Sequence, residues 1–178
     1  MTTLKSLTHD NHVLAEQQAF TKLLLSGNIS ENIYADFLFN QHAIYKTLEA
    51  VANARGLLSG LNGIERSQKI QQDFENLPKC KTSIYPSTQK YIQYITTRNL
   101  TDQQILAHLY VRHMGDLYGG QMIKRVVPGT TTMYEFENRG ELITALREKL
   151  DVSMAAEANE CFAFAIKLFT ELADEYNL

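Results

Sequence analysis

Apolar residues recur every three or four positions along almost the whole chain, and only three prolines interrupt them. That spacing builds amphipathic helices, whereas a half-buried strand requires alternation. Leu4, Leu7, Leu14, Phe20, Leu23 and Leu24 form a first stripe, which Gly27 stops. Ser30 has the chemistry of an N-cap. It leads into Ile33, Phe37, Ile44, Leu48 and Val51, with Gly56 past the end. A third helix is predicted over Ile64–Leu77, before Pro78. Pro86 suits the first turn of a fourth, reaching about Thr97. Thr101 and Gln104 make a capping box ahead of a long run that ends before Pro128 and Gly129. A helix over about Gly140–Leu150 follows. Ser153 is read as the cap of a last helix carrying Phe162, Ile166, Phe169 and Leu172. Thr130–Phe136 is the one short strand candidate. The expectation is a single all-α domain over residues 1–178, with about seven helices.

The formal net charge of -3 offers no excess of basic charge to attract nucleic acid. No apolar run approaches the roughly 18 residues of a membrane span. The N-terminus lacks a signal-peptide core, so the expected location is cytoplasmic, without a membrane anchor. Cys80 and Cys161 lie far apart and show no zinc or redox spacing. Cys161 falls in an apolar helical pattern and reads as buried packing. No flavin or nicotinamide fingerprint is present.

The stretch Arg112–Lys124, RHMGDLYGGQMIK, sits in the long helical run yet holds three glycines. Each interior glycine costs a helix about 1 kcal/mol relative to alanine. Gly115 and Gly119 share one face, and Gly120 adjoins them. Two readings are open: close packing of a second helix, or close approach of a flat ligand to bare backbone. Arg112 and Asp116 are also one turn apart. They read either as a surface ion pair or as a carboxylate that orders water in a pocket.

Five histidines are present, at positions 9, 12, 42, 108 and 113. None follows a glutamate by three residues, which disfavours a di-iron bundle, and H-E-x-x-H is absent. A lone helical histidine is usually packing or surface. His12, however, has Glu16 one turn later, where a carboxylate could hold one ring nitrogen and aim the other at a metal. A single imidazole without further protein ligands suits haem iron better than zinc.

The glycine stretch resembles the signature of the haem oxygenase family. LKSLTHDNHVLAE resembles that family's proximal-histidine helix, and YEF, REKL and EANECFAFAIKLF match family segments in the same order. The resemblance implies an all-α helical bundle with haem b sandwiched between a proximal and a distal helix. His12 then corresponds to the iron ligand and Glu16 to its support. Gly115 and Gly119 correspond to the glycines that face the haem, and Gly120 to a bend. Asp116 corresponds to the carboxylate that orders distal water, with Arg112 and Tyr45 in the same polar network; taken alone, Tyr45 also reads as a core tyrosine. Lys5, Tyr110 and Arg147 correspond to contacts of the haem propionates. The implied reaction opens haem to biliverdin, as the IX-alpha isomer, with release of carbon monoxide and ferrous iron. It takes O2 and external electrons, with ferredoxin as the expected donor and a bilin reductase as a downstream partner. Lys124 and Arg125 are candidates for the donor's docking patch.

Some positions depart from the family pattern. His113 stands where tyrosine is usual, and Tyr118 where a small serine is usual. His9 and Ile143 replace lysines near the propionates, and Ala165 stands where some relatives have asparagine. The alternative function is a non-catalytic haem-binding or storage protein on the same fold. A second is thiaminase-like hydrolysis, with Cys161 as the one candidate nucleophile.

Overall fold

The computed structural model describes residues 2–178. Among the described residues, nine α-helices run in the order α1 (Leu4–Glu16), α2 (Ala19–Leu25), α3 (Glu31–Ala54), α4 (Ser67–Glu75), α5 (Pro86–Thr97), α6 (Asp102–Tyr118), α7 (Gly120–Ile123), α8 (Arg139–Glu148) and α9 (Ala155–Tyr176). There is no strand among the described residues. None of these helices is long and apolar enough to cross a membrane.

The local signals explain most boundaries. The Ser30 side chain accepts the N–H of Ile33 at the start of α3. Thr101 and Gln104 form the expected reciprocal box on α6, and Pro86 opens α5. Gly27 and Gly56 have φ of 77° and 70°. That left-handed conformation suits glycine and ends a helix.

Two expected helices are each divided. The first stripe breaks between α1 and α2, where the Thr21 hydroxyl donates to the Ala15 carbonyl at 2.7 Å. The long run breaks at Gly119, between α6 and α7. The third expected helix, Ile64–Leu77, shortens to α4 because the Arg66 and Ser67 amides are taken by the Glu49 carboxylate.

The strand expected over Thr130–Phe136 is a 3-10 turn at Thr132–Tyr134 instead. Asp73 of α4 is the physical reason. Its carboxylate accepts the hydroxyls of Thr130 and Thr132, both at 2.8 Å, and the backbone N–H groups of Thr132 and Met133, both at 2.9 Å. Four donors on one carboxylate curl the segment. Ser153 does not cap the last helix. Asp151 accepts the Ser153 N–H at 2.8 Å and starts a 3-10 turn, Val152–Met154, that runs directly into α9.

Two long helices organise the bundle. α3 packs against α4, α5 and α6, whereas α9 packs against α1, α2, α5 and α6. Phe20, Phe37 and Phe169 lock α2, α3 and α9 together, with ring centroids 5.1 to 6.5 Å apart. Consequently α6 has one buried face on α3 and another on α9, and α1 lies on α9 as well.

Candidate functional site

The three glycines separate into two physical roles. None has positive φ, so none is required by backbone conformation. A Cβ built on Gly120 would collide with the buried ring of Tyr134. Gly120 therefore serves packing rather than the expected bend; the interruption falls at Gly119, which keeps helical dihedrals of -65° and -35°. A Cβ on Gly119 would meet the Gly115 carbonyl at 3.1 Å, but one on Gly115 would meet nothing within 4 Å. The protein's own packing gives no reason for the missing side chain at Gly115.

Beside this bare patch, Asp116 is buried and accepts a hydrogen bond from the Tyr45 hydroxyl at 2.6 Å. Burial pushes the Asp116 carboxyl up to about 6, against the opposing pull of Tyr45, His113, Arg66 and Arg112. The Tyr45 phenol is pushed up, first by burial and then by Asp116. It stays a neutral donor.

Arg112 is not a surface ion pair, and its partner is not Asp116. Its Nε donates to the Tyr91 hydroxyl at 3.2 Å, and its guanidinium lies 4.3 Å over the Tyr91 ring. Its Nη2 is buried without a partner among the described residues. Helix α5 supplies Tyr91, so α6 is held from a third side.

The hydrogen bonds continue inward from there. The Tyr91 hydroxyl is 3.1 Å from His108 Nδ1, and His108 Nε2 is 2.9 Å from Glu157 of α9. Tyr94 and Gln104 also donate to Glu157, at 2.8 and 2.9 Å. Burial alone would lower His108, but Cys161 and Glu157 outweigh it and hold it at about 8. Sequence reasoning did not assign roles to Tyr91, His108 or Glu157. The available signal was His108 one turn before Arg112, on the same helix face.

Cys161 is fully buried, as its apolar pattern predicts. Burial raises its thiol, but Arg112 and His108 more than offset this and bring it below its ordinary value. A buried thiol on this network is closed to a solvent-borne substrate, which removes it as the nucleophile of a hydrolase.

On α1, His12 and Glu16 are half or more exposed. Their closest approach, Nδ1 to Oε2, is 3.7 Å, too long for a hydrogen bond. The His12 ring stands edge-on to Phe162 of α9, with centroids 5.9 Å apart. It is thus seated by packing, with its nitrogens uncommitted. Among the described residues, no three His, Cys, Asp or Glu side chains gather to hold a bare ion.

Arg147 of α8 donates to the Tyr118 hydroxyl at 2.7 Å, and the Arg139 guanidinium lies 5.3 Å from the same ring. Lys5 is exposed. Tyr110 is half-buried against Leu4, Ala107 and Met154. Ile143, at a position expected to lack a cation, is buried with Leu61, Ile64, Leu142 and Leu146. Surface concavities of 420 and 660 Å³ lie beside residues 53–65 and between the start of α4 and residues 135–138, and neither is lined by His12, Gly115, Asp116 or Arg147. The candidate site is defined instead by its two walls, α1 and α6, both seated on α9.

Comparison with known proteins bears on the family and the fold. Heme oxygenase 1 of Synechocystis sp. is 27% identical over 198 residues, covering 95% of this chain and 82% of its own. Heme oxygenase of Guillardia theta is 29% identical over 205 residues, covering 97% of this chain and 86% of its own. The solved heme oxygenase of Leptospira interrogans superposes with a TM-score of 0.80 at 25% identity, covering 94% of this chain and 97% of that one. The Synechocystis heme oxygenase-1 structure, a complex with heme, also reaches 0.80 at 24% identity, over 97% of this chain and 91% of that one. Residues 1–171 match the family model described as Heme oxygenase. The chain belongs to the haem oxygenase family.

Proposed function

We propose that this protein is a working haem oxygenase, which opens haem to biliverdin and releases carbon monoxide and ferrous iron. Gly115 carries the reading: a helix gives up a side chain where nothing of its own fills the space, next to a buried Asp116–Tyr45 pair. The residues fit haem in three respects. His12 offers an uncommitted imidazole on α1 for the iron. Gly115 and Gly119 keep the α6 wall low for a flat ring. Arg147 has donors beyond the one given to Tyr118, enough to grip a propionate.

Haem supplies both the iron that activates O2 and the ring that is opened. The chain's own task is to bind, orient and manage protons. Asp116, held near 6, takes up and releases a proton within the pH range of the cell. Tyr45 fixes one of its oxygens, and the buried Nη2 of Arg112 provides a donor for water in the same network. Glu16, one turn from His12 on the solvent side, would orient the ring by closing from 3.7 Å onto Nδ1, and Lys5 and Tyr110 are the further propionate partners. Gly120 acts one step removed, by letting Tyr134 support α7. External electrons come from a ferredoxin, docking near Lys124 and Arg125; the product is the IX-alpha isomer and passes to a bilin reductase. The alternative of non-catalytic storage leaves the Asp116–Tyr45 pair without a task.

Haemin added to the purified protein, followed by ferredoxin, its reductase and NADPH in air, tests the proposal. Decay of the haem band with formation of free biliverdin is expected, and chromatography identifies the isomer. A stable complex whose ring never opens, beside an active control enzyme, would overturn the enzymatic reading in favour of storage.

A further inference from the structure

Two rungs join α6 to α3. Asp116 meets Tyr45, and His113, one turn earlier on α6, meets Glu49, one turn later on α3. The second rung is wholly inside, with His113 at 0% exposure and Glu49 at 2%. Glu49 is also fixed from a third direction. Its carboxylate accepts the N–H of Arg66 at 2.6 Å and of Ser67 at 3.0 Å, amides at the start of α4. Burial pushes Glu49 up, but the bonds from His113, Arg66 and Ser67 outweigh it and hold the carboxyl below its usual range.

An ionised carboxylate only accepts. His113 Nε2 must therefore carry the hydrogen of the 2.9 Å contact. That leaves Nδ1, which is buried with no partner among the described residues. Such orphans are rare in folded proteins and call for an explanation. The ring lies beside Tyr45, with centroids 5.1 Å apart, and Tyr45 in turn donates to Asp116 at 2.6 Å. The other titratable or charged groups around the pair are Tyr34 on α3, Arg112 on α6, Arg66 ahead of α4 and Tyr134 in the 3-10 turn. A tyrosine here would give Glu49 its donor and have no second polar atom. An imidazole has two.

Resting on the haem oxygenase reading, we propose that His113 is a positioning residue of the site. Glu49 fixes its Nε2–H tautomer, and the bare Nδ1 accepts a hydrogen from a water shared with the Asp116 carboxyl.

Imidazole nitrogen NMR on the ligand-free protein reads the tautomer without haem or turnover. Hydrogen on Nε2 and a bare Nδ1 are expected; hydrogen on Nδ1, whether in the neutral ring or in an imidazolium, overturns the proposal. Two variants then separate donor from acceptor. His113→Gln keeps a donor for Glu49 and an acceptor for water, whereas His113→Tyr keeps the donor alone. Biliverdin formed per O2 consumed should be on the order of tenfold higher in the Gln variant than in the Tyr variant. Equal coupling in the two variants overturns the acceptor role. A wild-type protein that takes up no haem overturns the functional reading beneath, an outcome the ligand-free NMR keeps distinct.

Discussion

Alanine at Gly115 and alanine at Gly120 should have opposite effects on the ligand-free protein. At Gly115 the new methyl meets nothing within 4 Å. The substitution then only removes the glycine penalty of a helix interior, a gain of about 1 kcal/mol. For a chain of this size that raises Tm by about 2–4 °C. At Gly120 the methyl runs into the Tyr134 ring, which is only 2% exposed and has no free volume to retreat into. Overpacking of that kind costs about 1–3 kcal/mol, a fall of roughly 3–10 °C. Haem binding inverts the order of interest. The Gly115 methyl projects into the space reserved for the ring, so haem affinity should drop on the order of tenfold, equivalent to about 1.4 kcal/mol. Thermal unfolding of the apoprotein and haemin titration followed by absorption measure the two effects. If Gly115→Ala lowers the apoprotein Tm, the glycine serves packing after all. If it leaves haem affinity unchanged, the bare patch does not face the ligand, and the argument for the site loses its main support.

Asp116→Asn should stabilise the ligand-free protein above pH 6 and not below pH 4. The native carboxyl titrates at about 6 against an ordinary 3.8, so the folded state holds the proton more tightly and stability is lost as pH rises through that window, on the order of 3 kcal/mol in all. Urea unfolding at the two pH extremes checks the sign, and the same variant should bind haem yet form little biliverdin. His12→Ala should abolish the native iron-ligand absorption spectrum; an unchanged spectrum would assign the iron to another side chain. Lys124→Glu combined with Arg125→Glu should raise the KM for ferredoxin several-fold, more so at low ionic strength, and an unaltered KM would move the docking patch elsewhere.

Local signals carried far along this chain because most helix boundaries depend on nearby residues. Ser30, Thr101 with Gln104, Pro86 and Gly27 each act within a few residues. The larger errors are long-range, whereas the miss at Ser153 is local, set by Asp151 two residues before it. Nothing near Thr130–Phe136 announces that Asp73, on another helix, will collect its hydroxyls and amides. Glu49 shortens α4 from a distance in the same way. The site divides along the same line. Asp116, Gly115 and His12 stand out by type and spacing, and the family resemblance assigned them roles. Arg112 drew attention through Asp116, its neighbour one turn away, although its actual partner is Tyr91 on α5. The path through His108 to Glu157 joins α6 to α9, and a one-dimensional reading offers no register between those helices.

Helix α6 shows why such a site strains the fold that carries it. Its α3-facing side buries His113 and Asp116, and its α9-facing side buries His108 and Arg112. Four polar side chains in one helix would each cost stability if left unpaired. Each has a partner supplied by another helix: Glu49 for His113, Tyr45 for Asp116, Glu157 for His108 and Tyr91 for Arg112. Arg112 is met by Tyr91 and retains one orphan nitrogen. The remaining deficits, at Arg112 Nη2 and His113 Nδ1, lie on the same stretch of helix as the open face of Gly115. A structure optimised for stability alone would fill Gly115 and replace both orphans with apolar groups. On the proposed function, their joint retention in one turn and a half of helix concentrates the cost of function where a single ligand can offset it.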